Sequence, residues 1–546
     1  MDLIPENMLR IIALALPAGH GFGDRVPVGA WGDPEGATCG IVTRHAETGE
    51  LGVIAMRRRV DDVWTETARE FGFRSLKHAQ ERLEALLRIG APAEPLPPNT
   101  APRAGLHDLQ GRTPSPIFDS LRTPSHHLAA WILNQLYLAL PNPDRNWAGD
   151  CQTGNFHTRM WEAQLLAAFR EQGLHVSQPF ESPDFHIRNR HGGEAWVEAV
   201  TANPERRFDH LNAPRVAPPA DRDALFFGPA ALRFAKTIGN KLQRRYDQLP
   251  HVQGKPFMLA VSDFHAAGSM RWSREGLAGY LYGEGAEVVI ENGRSVARAT
   301  HATHLRGPSR FPAGLFANAD HAELSAVIFS NACAMSKLSR VMVSAGADPK
   351  GMRYTRIGKF FNRTEGALQG NDFCMDVASA AYRALWPQGY EPWSAEMEVF
   401  HNPFAHHPVP HALLPEATHW FDVGGERICS SHYATGILWS ETWITDAANP
   451  PVRLEDILSG NGAALQKSLS PYVLSLIRLG AGCCNLQQRR GGRNGHALCG
   501  ARCSQAEHQR PWLSISAYPF RNPPMTIYRW TFSRSRAAEV RSVRLS

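Results

Sequence analysis

Long apolar runs are missing from this chain of 546 residues, in which no eighteen consecutive residues are apolar. A helix that crosses a bilayer needs about 20 such residues, so we expect no membrane partner. The apolar stretch at residues 11–18 is short, and Arg10 is its single basic flanking residue. This pattern favours a first helix or strand of the fold over a signal peptide.

Cysteine is also scarce, because only nine cysteines occur and they are scattered over the whole chain. An odd and dispersed set argues against a disulfide framework of the kind that small secreted domains use. The sequence therefore predicts a protein of the reducing cytoplasm.

An excess of basic charge is lacking outside the C-terminal end. The chain carries a net charge of +6, but the residues from 481 onward contain eleven Arg and two Glu and so carry +9, which leaves about −3 for the rest. Attraction for phosphate in the folded part must therefore come from local patches or from a bound metal. We predict that residues 459–546 are a disordered, Arg-rich tail that adds non-specific nucleic-acid affinity, with a non-native tail as the alternative.

The composition is that of a globular protein, with 43% hydrophobic and 20% charged residues. We predict a small N-terminal α+β module at 1–90, a Pro-rich linker at 91–122 and a larger domain at 123–458. Helical and strand patterns alternate in the larger domain, which indicates an α/β (α+β) class with a mixed central sheet flanked by helices. The N-terminal module is predicted to contain strands at 39–46 and 51–58, followed by helices at about 60–71 and 75–88.

The stretch from residue 161 to 203 places three carboxylates on successive elements. Glu162 lies on a predicted helix, where it shares a face with Leu166 and Phe169 and therefore points inward. Asp184 begins a predicted strand, and Glu198 lies in the strand that follows across a turn. Alternation along that strand puts Glu198 on one face with its neighbours two residues away.

Carboxylates that converge in this way could hold Mg²⁺ or Mn²⁺, because hard cations prefer oxygen ligands. Such a metal lowers the pKa of a bound water and stabilises charge on a phosphoryl group under attack. The alternative is an ordinary αββ segment, in which Glu198 is a surface residue and Asp184 a turn former after Pro183.

At these residues the chain resembles the PD-(D/E)xK nuclease superfamily. Pro183 and Asp184 match its "PD", Glu198 matches its second acidic position, and Glu162 matches the helix glutamate that precedes the motif in many members. The chain is also similar to a branch of uncharacterised bacterial proteins with EAV in place of ExK, over roughly residues 125–430. The resemblance implies a restriction-endonuclease-like core and Mg²⁺-dependent hydrolysis of DNA, or alternatively RNA, in bacterial defence or DNA processing.

One element of the family pattern is absent, since Val200 stands where the family has Lys. In a predicted helix from Pro229 to Gln248, Lys241 lies about 60° from Ile238 on the apolar stripe, whereas Lys236 faces solvent. We therefore predict that Lys241 replaces the missing lysine. Arg245 is the second choice, and an edge lysine that only covers apolar surface is the alternative.

The loss of the motif lysine also supports a different function. A catalytically inactive member of the fold could serve as a nucleic-acid- or protein-binding module, and an interaction protein without any nucleic-acid role is a third reading. The sequence leaves the oligomeric state open, with a homodimer among the alternatives. Residues 204–228 are predicted to form a loop over the site.

Three further polar segments have less specific patterns. Arg57, Arg58 and Arg59 are interpreted as a solvated run rather than a phosphate contact. The His-rich segment, with His401, His406, His407, His411 and His419, is interpreted as a structural loop rather than a zinc site. A basic stretch with interleaved aromatics lies either along a nucleic-acid backbone or on a loop surface. Its cations are Lys337, Arg340, Lys350, Arg353, Arg356 and Lys359.

Overall fold

The fold begins with an antiparallel sheet that contains five strands in chain order. Its elements are β1 (Asp2–Ile4), α1 (Glu6–Leu14), β2 (Arg25–Gly32), β3 (Thr38–His45), β4 (Leu51–Arg58), β5 (Trp64–Phe73) and α2 (Leu76–Leu87). Helix α2 covers β3 and β4 with a buried stripe of Ala79, Leu83 and Leu87. The helix predicted at about 60–71 is wrong, because β5 pairs with β4 along its length, and its Thr and aromatic residues favour a strand.

The computed structural model describes most of the chain. The described residues are 1–16, 22, 24–33, 36–205, 213–308, 310–362, 369–424, 426–455, 527–530 and 540–543. The chain divides into two units, of which the first comprises Met1–Pro451 and Thr526–Leu545 and the second Val452–Met525 with Ser546. The predicted tail therefore lies outside the described residues, apart from two short strands of the first unit.

The segment between residues 91 and 122 is largely exposed, but a few of its apolar side chains are packed into the core. It contains α3 (Pro116–Leu121), and Leu106 and Phe118 are fully buried. The side chain of Gln152 donates hydrogen bonds of 2.9 Å to the carbonyls of Leu106 and Asp108. The domain boundaries at 90 and 122 stay predictions, but the expected linker contributes to the core.

The larger part of the chain alternates helices and strands. In order, its elements are α4 (His127–Ala139), α5 (Trp147–Thr153), α6 (Phe156–Glu171), β6 (His175–Ser177), β7 (Phe185–Arg188), β8 (Glu194–Ala202), α7 (Arg222–Phe227), α8 (Pro229–Leu242), β9 (Phe257–Asp263), α9 (Arg274–Tyr282), β10 (Glu284–Glu291), β11 (Arg294–His301), β12 (Ala326–Ser330), α10 (Met335–Ala345), β13 (Met352–Phe360), β14 (Asn371–Asp376), α11 (Ala380–Arg383), β15 (Met397–His401), β16 (Thr418–Val423), β17 (Glu426–Ser431), β18 (Ile437–Asp446), β19 (Ile527–Trp530) and β20 (Val540–Val543).

A mixed sheet of ten strands forms the centre, in the order β20-β19-β17-β16-β15-β12-β9-β8-β7-β6. Strands β6, β7 and β8 are antiparallel to one another. Strands β8, β9 and β12 run parallel to one another. The predicted α+β class, with a mixed sheet between helices, is confirmed. Two smaller sheets, β10-β11 and β14-β13-β18, complete the described strands.

Both faces of β8 are covered, which explains why the whole strand is apolar apart from Glu198 and the residues at its ends. Val197 and Ala199 share a core cluster with α6, while Trp196 and Val200 share another with α8. Glu198 points to the same face of β8 as Trp196 and Val200. In the structure that face is closed by α8, so Glu198 is only 4% exposed.

Two local predictions on the connection after β8 need correction. The segment 204–228 is not only a loop, because it contains α7. Helix α8 starts with Pro229 at its first position, where the missing N–H costs nothing, but it ends at Leu242 rather than Gln248. Arg245 adopts a left-handed conformation with a φ of 51° and leads into a 3₁₀ turn at Tyr246–Gln248.

Within the described ranges, no helix combines the length and the apolar character that a bilayer crossing requires.

Candidate active site

The hairpin of β7 and β8 brings Asp184 and Glu198 face to face. Phe185 pairs with Val197 in the antiparallel register, so the next pair outward is Asp184 with Glu198. The turn is fixed by Asn189, whose side-chain oxygen accepts a hydrogen bond of 2.8 Å from the Gly193 N–H. Asp184 Oδ2 in turn accepts the backbone N–H of Ala199 at 2.7 Å. We call Asp184 and Glu198 the carboxylate pair.

Glu198 is held by two donors on the segment that follows β8. Lys241 Nζ lies 2.5 Å from Glu198 Oε1, and the hydroxyl of Tyr246 donates to the same oxygen at 2.8 Å. The other oxygen, Oε2, is buried without a hydrogen-bond partner among the described residues. Burying a carboxylate oxygen without a partner lowers the stability of the folded state. A cation or a water bound to Oε2 would remove this penalty.

Glu162 lies on α6, is buried, and is satisfied by neighbours on the same side of the sheet. Arg159, one turn earlier, donates to both of its oxygens at 3.0 and 3.2 Å. The indole N–H of Trp147 donates to Oε2 at 2.6 Å. Arg159 also pairs with Asp150 at 2.6 Å, which fixes the guanidinium in place. A metal would compete with these donors for Glu162.

The carboxylates repel each other across the site. Burial raises the pKa of Asp184 well above its ordinary value, and the charges of Glu198 and Glu162 raise it further, against the Ala199 N–H and Lys241. Burial also raises the pKa of Glu162, with a contribution from Glu198, although Arg159 and Trp147 oppose the rise. If all three carboxylates are ionised, their negative charge exceeds the positive charge of Lys241 and Arg159, which is the condition that favours a bound cation over protonation.

The residues present fit a metal held by two carboxylates better than one held by three. In the parts of the chain that the structure describes, no three or more His, Cys, Asp or Glu side chains form a metal-holding group. The unpartnered Glu198 Oε2 and the facing Asp184 remain available, whereas Glu162 is saturated by Arg159 and Trp147. Mg²⁺ is commonly bound through one or two carboxylates and keeps several waters, so the carboxylate pair is sufficient for it.

Lys241 reaches this site from the helix that covers β8. Helix α8 packs on the Val200 face through Ala231, Ala235 and Ile238, and the side chain of Lys241 is 19% exposed. Its ammonium group therefore reaches the face of β8 on which Val200 lies. Lys236 faces solvent and pairs with Glu205 at 2.7 Å. Arg245 is not brought to the site, since it pairs with Asp247 at 2.8 Å.

Sequence reasoning missed three side chains that shape the site. Arg159 could have been found, because it lies three residues before Glu162 on one helix face. Trp147 and Tyr246 carried no such signal, since one lies on a preceding helix and the other beyond the end of α8. Their contacts arise only when the helices are packed.

Three of the six cations in the predicted basic stretch lie in the interior, and not on a nucleic-acid surface or an exposed loop. Lys337 and Arg340 on α10 are buried, as is Arg356 on β13. All three contact Glu391, at 2.9, 3.0 and 3.4 Å respectively. Arg356 also pairs with Glu396 at 2.5 Å. These three cations therefore pair with buried carboxylates inside the protein and are not available to contact a ligand.

The run Arg57 to Arg59 also has a structural role rather than a solvated one. Arg57 is 1% exposed and donates to the carbonyls of Ala91 and Pro92 at 3.0 and 2.9 Å. Its guanidinium thereby ties the N-terminal sheet to the start of the Pro-rich segment. The pattern of three consecutive arginines gave no indication of this, because its acceptors are backbone carbonyls more than thirty residues away.

The His-rich segment forms a buried contact without a metal-holding group in the described residues. His401 Nε2 lies 2.8 Å from His419 Nδ1, and His419 Nε2 lies 2.8 Å from the Leu414 carbonyl. Burial lowers the pKa of His401 to about 4, so both rings are neutral at pH 7 and one donates to the other.

The carboxylate pair could hold a divalent cation, and Lys241 would place an ammonium group beside that cation. Nothing else in the described residues combines an unpartnered buried carboxylate oxygen with an adjacent lysine ammonium. The chain matches no protein-family model, no curated protein and no solved structure.

Proposed function

We propose that the protein is a metal-dependent nuclease that hydrolyses phosphodiester bonds of nucleic acid through the carboxylate pair and Lys241. The observation that carries the proposal is the 2.5 Å contact between Lys241 Nζ and Glu198 Oε1. It brings an ammonium group to the face of β8 that carries Val200, the residue at the position where the PD-(D/E)xK pattern has a lysine. The expected role in bacterial defence or DNA processing belongs to this proposal.

Each side chain has a distinct task in the proposed reaction. Asp184 and Glu198 would hold Mg²⁺ or Mn²⁺, which supplies a bound water of lowered pKa and polarises the phosphoryl group. Lys241 stabilises negative charge on the phosphoryl oxygens. Tyr246 holds Glu198 in position through its 2.8 Å hydrogen bond. Glu162 acts on the site through its charge, since Arg159 and Trp147 occupy its oxygens.

A second function, a binding module without catalysis, is favoured by one observation. The Lys241 contact could be a plain buried ion pair, because a metal-holding group of three side chains is missing from the described residues. In that case Glu198 would need no cation, and the chain would bind nucleic acid or protein without hydrolysing it.

Hydrolysis assays separate the two functions. Purified protein is incubated with single- and double-stranded DNA and RNA in Mg²⁺, Mn²⁺ or EDTA, and products are resolved on a denaturing gel. We expect metal-dependent cleavage that falls about 10³-fold in Asp184→Asn and in Glu198→Gln, since a metal contributes several kcal/mol to transition-state stabilisation. The exposed Glu287 on β10 provides a control, Glu287→Gln, that should cleave normally. Cleavage that is unaltered in both site variants would contradict the proposal.

A further inference from the structure

The row of the β7–β8 hairpin next to the carboxylate pair is aromatic. His186 pairs with Trp196 in the register, two residues from Asp184 and Glu198 respectively, so all four side chains share one face. The two rings are stacked, with centroids 4.3 Å apart and planes at 14°. An aromatic surface therefore adjoins the carboxylates directly.

Two more rings extend this surface to the solvent. The ring of His251 lies 4.7 Å from that of Trp196, and Phe180 stacks on His251 at 3.9 Å with planes at 14°. Phe180 remains 50% exposed. Because His251 covers one face of the Phe180 ring, the exposed half includes the opposite face. We call Phe180, His186, Trp196 and His251 the stacked aromatic cluster.

The stacked aromatic cluster is attached to the backbone that carries Asp184. The ring Nε2 of His251 lies 3.0 Å from the carbonyl oxygen of Ser182, two residues before Asp184. Phe180 precedes Asp184 by four residues, so their Cα atoms are at most about 14 Å apart. A group stacked on Phe180 therefore lies near the segment that carries Asp184.

Two cationic side chains lie near Glu198 and its partner Tyr246. Lys241 contacts Glu198, and Arg244, an exposed residue just beyond the end of α8, lies close enough to oppose the rise in the pKa of Tyr246. This region of the protein thus combines an exposed ring, two buried carboxylates and two cations. An unpaired nucleotide has a matching set of groups, a flat base and a phosphate, separated by its sugar.

We propose that Phe180 stacks an unpaired base, so that the substrate of this site is a single-stranded nucleic acid. The inference rests on the proposed function, because it assigns the strandedness of the same substrate. Aromatic rings hold single strands because every base has a flat face, and stacking is tolerant of sequence. A base within a duplex has both faces covered by its neighbours, so it has no free face to offer to Phe180.

Binding is measured without turnover, so that this inference is tested apart from catalysis. The Asp184→Asn variant is titrated with a short fluorescein-labelled oligothymidylate and with a blunt duplex at one fixed salt concentration, and fluorescence anisotropy is recorded. We expect the single strand to bind more tightly than the duplex. Adding Phe180→Ala should weaken single-strand binding about tenfold, in line with the stacking of one base, and change duplex binding little.

Two controls separate stacking from folding. Phe180→Trp keeps a stacking ring and should retain the affinity, whereas Phe404→Ala removes another exposed phenyl ring, 43% exposed, and should not alter it. An oligonucleotide with an abasic position keeps the phosphate charge and loses one base. The abasic strand should bind more weakly than the complete strand to protein that retains Phe180. The Phe180→Ala variant should bind both strands equally, and this pair of results would support stacking of a base on Phe180.

The outcomes distinguish this inference from the proposed function. Equal loss of single- and double-strand binding in Phe180→Ala, or no loss at all, overturns the stacking role. The nuclease proposal still stands in that case if the unmutated protein shows metal-dependent cleavage. Selective loss of single-strand binding without detectable cleavage in the unmutated protein supports the stack and contradicts the nuclease. Absence of binding to every nucleic acid overturns both.

Discussion

Two clusters of buried charge in this protein differ in how completely the charges are neutralised. In the buried ion network, which consists of Lys337, Arg340, Arg356, Glu391 and Glu396, three cations face two carboxylates. Glu391 also accepts a hydrogen bond of 2.5 Å from Tyr382. These donors hold the pKa of Glu391 well below its ordinary value in spite of burial. The network needs no further ligand.

The carboxylate site, which comprises Glu162, Asp184, Glu198, Arg159 and Lys241, has the opposite balance, because three carboxylates face two cations. Burial and mutual repulsion raise the pKa of Asp184, and Glu198 Oε2 has no hydrogen-bond partner among the described residues. Buried charges of both clusters cost desolvation energy, but only the carboxylate site leaves that cost uncompensated within the chain. A buried carboxylate oxygen without a partner, rather than burial alone, therefore indicates where a cation would be stabilising.

The strongest test of this comparison removes one carboxylate from each cluster. Glu391→Gln leaves three cations beside a neutral amide, so we expect the free energy of unfolding to fall by about 3–5 kcal/mol. Asp184→Asn relieves repulsion and should leave the free energy of unfolding in EDTA unchanged or slightly higher. Urea denaturation monitored by circular dichroism measures both. A loss of stability in Asp184→Asn as large as in Glu391→Gln would break the distinction.

Added metal should stabilise only the cluster that is incomplete. At a Mg²⁺ concentration of about 100 times the dissociation constant, binding to the native state adds about 2.7 kcal/mol to the free energy of unfolding. We expect this gain in the unmutated protein and its absence in Asp184→Asn. Thermal denaturation over a series of Mg²⁺ concentrations, with EDTA as the reference, provides the measurement. A melting temperature that ignores Mg²⁺ in the unmutated protein would favour the binding module.

Lys241 tests whether the single cation at Glu198 serves catalysis or packing. Lys241→Met keeps the aliphatic stem, so stability should change little, whereas the cleavage rate should fall at least about tenfold through loss of a charge stabiliser. Steady-state cleavage at saturating Mg²⁺ gives the rate. Lys236→Met, on the exposed side of the same helix, is the matched control. Full activity in Lys241→Met would reduce the ion pair to a structural contact.

The last test concerns a buried acid that has a repelling neighbour and hydroxyl groups as its partners. Burial and the charge of Glu416 raise the pKa of Glu171 to about 8, against hydrogen bonds from the Ser394 N–H and the Tyr390 hydroxyl. Its pKa in the unfolded chain is about 4.3. The native state therefore binds more protons between these values, and stability falls as the pH rises from about 4 towards 8.

Replacing this acid by a neutral amide should remove that part of the pH dependence. In Glu171→Gln we expect the free energy of unfolding to decrease less between about pH 5 and pH 8 than in the unmutated protein. Urea denaturation at the two pH values in both proteins isolates the contribution of Glu171, because all other titrating groups are shared. An identical slope in both proteins would show that Glu171 ionises normally.

Local periodicity was enough to predict half of the carboxylate site. The period of two put Glu198 on one face of its strand, and the 3.6-residue period of α6 turned Glu162 inward. The same helical period placed Lys241 beside the apolar stripe of α8 and Lys236 in solvent. These features depend on neighbours within a few residues, so the sequence alone determines them.

Only the tertiary structure decided which of these groups meet. Lys241 reaches Glu198 because α8 packs on the face of β8, across 43 residues of chain, and Tyr246 joins it from beyond the helix end. Residues 64–73 became a strand because β4 offered a partner, and Lys337, Arg340 and Arg356 became buried because Glu391 meets them from other parts of the chain. Pairing and burial of this kind depend on contacts between distant segments, which no local pattern of residues specifies.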